Sequence, residues 1–150
     1  MTRERIISRM SVAGHPIHPM LIHFPVAFLL GLVGADLAYL YTTDPFWLRV
    51  GLWLAGLGSL GGWLAGMAGL VDLLLVRQIR TLTIAWCHAL LAVMTLSLAS
   101  YNWLLRFNDD SSFSPWGLYI SLLTAALITA TSLLGGQMVY GHAVGVHTKN

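Results

Sequence analysis

Four long apolar runs, with nearly every charge and turn residue gathered between them, constrain this chain more than any other feature. Hydrocarbon offers no water to unpaired amides and carbonyls, so only helices or closed barrels can cross it. A helix needs about 20 apolar residues to do so. The runs cover about 19–41, 46–75, 82–106 and 115–141, and the first contains a single charge, Asp36. Asp44-Pro45 and Ser114-Pro115 precede the second and fourth, a cap followed by a proline at the first helical position. The expected fold is all-α, a bundle of four transmembrane helices in one domain spanning 1–150.

Composition agrees with that expectation and removes several alternatives. Charged residues make up 9% of the chain, where a soluble domain carries about 25%, and the mean hydropathy is +0.73. Cys87 is alone, so no internal disulfide framework exists. The eight Lys and Arg form no basic stripe of the kind that tracks nucleic acid. No P-loop, nucleotide fingerprint or nucleophile–base–acid set is present, which argues against an enzyme.

Positive residues in short loops favour the cytoplasmic side. Arg3, Arg5, Arg9, Arg77, Arg80 and Lys149 lie on one side of the expected topology, and Arg49 and Arg106 on the other. Both termini are therefore expected in the cytoplasm of a bacterium, with the protein multi-pass in the inner membrane. The first run is too long for a signal-peptide core and ends in Tyr39-Leu40-Tyr41-Thr42-Thr43, without a small-residue cleavage site. It is expected to stay as an anchor.

On this topology all six histidines fall at the cytoplasmic end: His15, His18 and His23 at the entry of the first span, His88 two turns into the third, and His142 and His147 at the end of the fourth. Asp72 closes the second span at the same level. Imidazole is a common ligand for zinc, copper and iron, and a bundle can present side chains from several helices to one site. Haem b in such a bundle needs two axial histidines from different helices and small residues against the macrocycle. His23, His88 and His142 are the expected cofactor ligands, being deepest and on different helices. His15 and His18 are alternates, and Asp72 is either a ligand or an acceptor that holds an imidazole in one tautomer.

Other residues divide between packing and function. Gly58, Gly62 and Gly66 at four-residue spacing are first a helix-packing device and second a slot for a cofactor. A small-residue stripe, Thr124, Thr131, Ser132 and Gly135, marks the last span. Asp36 is expected to snorkel outward or cap a neighbour, and Cys87 to fill the core. Most tryptophans lie near interfaces as a belt, and only Trp63 is too deep for that role.

The stretch Gly14-His15-Pro16-Ile17-His18-Pro19-Met20-Leu21-Ile22-His23-Phe24-Pro25 is the least ordinary. Each proline disfavours the helical conformation in the histidine before it, so a stiff extended entry is expected. Pro25 leaves the carbonyl of Leu21 without its helical donor. Together with Asp36, Asp72, His88 and the closing Gly135-Gly136-Gln137-Met138-Val139-Tyr140-Gly141-His142-Ala143-Val144-Gly145-Val146, this segment resembles the DUF2231 family, small bacterial inner-membrane proteins of four helices. The family's closing motif more often reads Tyr-x-His-Gly-Val-Gly-Val, whereas Ala143 stands here in place of the first glycine. Some relatives are fused to Rieske-type iron–sulfur domains, and the resemblance thereby implies a redox setting.

The favoured expectation is a membrane protein that binds haem b, or a copper, zinc or iron ion, for electron transfer beside a respiratory chain. Two rival readings stand beside it. One is a structural or assembly subunit of a larger membrane complex, or of a homo-oligomer, in which glycine faces dock helices. The other is a small proton or metal-ion carrier using His and Asp as relay groups.

Overall fold

The computed structural model describes residues 5–108 and 116–146. A short hairpin, β1 (Ser11–Val12) and β2 (His15–Pro16), leads into α1 (Ile17–Thr42), α2 (Pro45–Leu75), the single turn α3 (Arg77–Arg80), α4 (Thr83–Asn108) and α5 (Trp116–Gly136). A π-helical turn, Gln137–Gly141, extends α5. Four helices, Ile17–Thr42, Pro45–Leu75, Thr83–Asn108 and Trp116–Gly141, are long and apolar enough to cross a membrane. The protein is an all-α, four-helix membrane bundle.

Local chemistry explains the element boundaries. Thr43 ends α1 in the left-handed region at φ 55°, its N–H donating to the carbonyl of Tyr39. One residue later the Asp44 carboxylate accepts from the N–H of Phe46 at 2.8 Å and Pro45 opens α2, so the cap expected from the sequence is present. The corresponding Ser114-Pro115 lies outside the described residues.

The helices meet through notches made by small residues. Gly58 receives Leu29, Gly62 receives Leu96 and lies beside Pro25, and Gly56 lies beneath the indole of Trp103. Leu29, Ala99 and Ile128, with Val26 against them, form an apolar layer across the middle of the bundle. Leucines on the outer faces, such as Leu30, Leu64, Leu104 and Leu123, are exposed as lipid contact demands. Trp63, too deep for the interfacial belt, donates its indole N–H to the hydroxyl of Ser100 at 3.0 Å, and Cys87 is exposed rather than core filler.

The entry segment is extended only in part. His15–Pro16 is a strand, but His18 and Pro19 already belong to α1, contrary to the extended entry expected for both His-Pro pairs. Pro19 lies among the first residues of the helix, whose N–H groups have no intrahelical acceptor in any case. The bond from His18 to α2 described below offsets the steric cost of a helical residue before proline. The hairpin turns at Ala13-Gly14, with φ 49° and 79°, the left-handed pair that a two-residue connection requires.

Residues before the hairpin join the other end of the chain. Ile6 donates to the carbonyl of Ala143 at 3.1 Å and accepts from Gly145 at 2.9 Å. Both described ends therefore lie at one end of the bundle. Ala143 is fully buried at φ 57°, so it retains the left-handed conformation that a glycine adopts without strain.

Candidate functional site

The end of the bundle where the chain ends meet carries two imidazoles from different helices. His18, in the first turn of α1, makes a 2.8 Å hydrogen bond through Nδ1 with the carbonyl of Ala65 on α2. His88, in the second turn of α4, makes one of 3.0 Å through Nδ1 with the carbonyl of Thr131 on α5. A carbonyl can only accept, so each Nδ1 carries a proton, and in the neutral ring the lone pair is then on Nε2. The ring centroids are 6.2 Å apart, with the planes almost perpendicular at 88°.

Glycine makes both positions available. A Cβ on Gly69 would lie 3.1 Å from His18 Nδ1, and one on Gly135 would lie 3.2 Å from His88 Cε1. Each imidazole is thus held by a carbonyl and pressed against a bare stretch of backbone. This is the arrangement that fixes the tautomer and the ring orientation of a metal-ligating histidine. The π-helical turn that follows Gly135 adds an extra residue to the helix beside His88, a distortion often found at functional sites.

The other site residues expected from the sequence are distributed differently. His23, His88 and His142 are not gathered as a group of three: among the described residues no three His, Cys, Asp or Glu side chains come together in a way that could hold a metal ion. His23 is on an exposed face of α1 because it follows the half-buried His18 by five residues, nearly half a turn out of phase. His142 lies past the π-helical turn, half-buried, and His147 lies outside the described residues. His15 is exposed, its Nδ1 bonded to the carbonyl of Ala13.

Asp72 holds the entry segment rather than an imidazole. One carboxylate oxygen accepts from the hydroxyl of Ser8, and the other accepts the N–H groups of Arg9 at 2.7 Å and Met10 at 3.0 Å. Nothing in the sequence pointed to Ser8, which is 64 residues away along the chain. Gly58, Gly62 and Gly66 face side chains of this same chain, Leu29 and Leu96, so this stripe is used internally.

A second polar centre lies at the opposite end. Asp36 of α1 and Arg106 of α4 form a two-pronged ion pair, both contacts 2.8 Å, with the two side chains 1% and 5% exposed. Arg106 also donates to Asn102 and to Ser121, and Asn102 donates to Ser121 at 2.9 Å. Gly51 leaves room for the guanidinium, since a Cβ there would lie 2.9 Å from Nη1. The expectations that Asp36 snorkels and that Arg106 is a loop charge are both corrected. Two opposite charges inside hydrocarbon are far cheaper paired than apart, so they turned inward to each other.

Comparison with curated proteins and with solved structures finds no match. A family model described as "Predicted membrane protein (DUF2231)" matches residues 14–148. That match takes in the second strand of the hairpin, all four spans, both imidazoles of the pair and the Asp36–Arg106 centre, and the chain is accordingly a member of the DUF2231 family of membrane proteins.

Proposed function

We propose that this protein binds a redox-active metal centre through His18 and His88 and carries electrons within the bacterial inner membrane. The observation that carries the reading is the pair itself: two imidazoles from separate helices, each with Nδ1 bonded to a carbonyl, at a centroid separation of 6.2 Å. Imidazoles that ligate one ion at about 2.0 Å per nitrogen hold their centroids roughly 5–6.5 Å apart, depending on the angle at the metal. The separation lies within that range, and in this reading Nε2 of each ring is the donor to a copper or iron ion, or to the iron of haem b. A bound centre of either kind would supply one-electron chemistry; the chain supplies two neutral imidazoles, their orientation and an apolar surround.

The orientation argument supports cytoplasmic placement of this end. Among the described residues it carries Arg5, Arg9, Arg77 and Arg80, while Arg49 lies at the other end and Arg106 is withdrawn into the core. Respiratory-chain subunits are the partners that an electron carrier so placed would serve.

The test is an absorption spectrum of detergent-purified protein, oxidised and dithionite-reduced, with elemental analysis of the same sample from cells supplied with haem, iron and copper. A Soret band that shifts on reduction, with about one iron per chain, identifies haem b. Bound copper or iron without a Soret band identifies an ion. His18→Ala and His88→Ala should each lose the signal, and His142→Ala should keep it. A sample with neither metal nor Soret band defeats the reading.

A further inference from the structure

We propose that the groove beside the entry hairpin binds the phosphate of an anionic phospholipid headgroup. The groove is a shallow, open one of ≈ 630 Å³ between the hairpin and the outer face of α1, with Arg5, His15, Pro19, Met20, His23 and Gly145 among its walls. Its volume is in the range of small-molecule sites, roughly 300–1,000 Å³. The titratable groups along its described walls are Arg5, His15 and His23, without a carboxylate. Asp72 is not among the groove walls; its carboxylate accepts from Ser8, Arg9 and Met10 instead.

Arg5 supplies the positive charge of the groove wall. Its Nη2 donates to the carbonyl of Gly14 at 2.9 Å, which ties the guanidinium to the hairpin turn. A guanidinium held in this way offers a phosphate oxygen a charge-assisted bond. The groove then runs down α1 past Met20 to His23, about 6 Å at 1.5 Å per residue from Pro19. Met20 and Phe24 are 54% and 63% exposed on that side, an apolar surface continuous with the lipid-facing helix. A cationic top above an apolar flank at the membrane edge matches a lipid, charged at its head and apolar below, better than a free anion.

The experiment uses the full chain in a zwitterionic detergent, titrated with phosphatidylglycerol, phosphatidylcholine or inorganic phosphate and read by native mass spectrometry. Phosphatidylglycerol should bind in preference to phosphatidylcholine, and Arg5→Gln should weaken it about tenfold, as expected for loss of one charged hydrogen-bonding group. Arg5→Lys should recover part of the affinity, and His23→Gln, a change on an exposed helical position, should weaken binding with the thermal midpoint unchanged. Equal binding of the two lipids overturns the proposal, as does Arg5→Gln binding phosphatidylglycerol like the parent. Inorganic phosphate that displaces phosphatidylglycerol at equal concentration also overturns the lipid assignment and marks a free-anion site. Metal or haem content should be the same in Arg5→Gln as in the parent, so this proposal and the redox reading fail separately.

Discussion

Asp36 and Arg106, 70 residues apart in sequence, face each other through two 2.8 Å contacts inside the bundle and tie α1 to α4. The pair is completed by Asn102 and Ser121, so the guanidinium binds three helices at one level. Gly51 adds the fourth helix by yielding its side-chain volume.

Removing one charge strands the other. Asp36→Asn and Arg106→Met should each destabilise the folded protein by about 3–5 kcal/mol, the cost of an uncompensated buried charge. The double variant Asp36→Asn/Arg106→Met should lose less than the sum of the two. Thermal unfolding in detergent, run as a double-mutant cycle, reads the coupling. Additive losses would mean that the two residues stabilise the bundle independently.

The glycine notches should respond to volume alone. Gly58→Ala places a Cβ 2.6 Å from Leu29 Cγ, and Gly62→Ala drives a Cβ into Leu96, so each should cost about 1–3 kcal/mol of stability. Leu96→Ala should relieve much of the cost in the Gly62→Ala background. If Gly62→Ala instead left stability unchanged and altered only the oligomeric state in native electrophoresis, the stripe would serve an external partner, as the assembly-subunit alternative requires.

Asp72 anchors the entry segment, and its loss should be felt there. Asp72→Asn weakens the acceptor for Ser8, Arg9 and Met10, charged hydrogen bonds worth about 1.5–3 kcal/mol each in total context. Hydrogen exchange over residues 8–16 should accelerate by about tenfold or more, with exchange in α2 and α4 unchanged. Proton uptake into liposomes should be the same for Asp72→Asn and the parent. A loss of uptake without faster exchange would restore Asp72 as a relay group in a carrier.

The candidate site was partly legible. His88 stands out because an ionisable side chain within a span is costly, whereas Asp36 reads as a snorkelling or capping residue. His18 stands below His23 and His142 in the sequence because depth along the chain is legible there and position on the helix face is not. Rotation around the helix decides the matter: His18 faces Gly69 across the α1–α2 contact, and His23 faces the groove. Ser8, Arg5, Asn102 and Ser121 carried no local signal, since each acquires its role only from a residue on another element.

By itself the sequence determined that the chain enters a membrane, how many times it crosses, where α2 is capped and which residues are too polar to rest easily there. Those properties depend on run length, hydropathy and near-neighbour chemistry, all local. Which polar residue answers which was decided by the tertiary structure. Helices that are apolar on every face carry no periodic mark of their inward side, so their rotation follows from the fit of Leu29 and Leu96 into Gly58 and Gly62. That rotation brings Asp36 to Arg106 and His18 to His88.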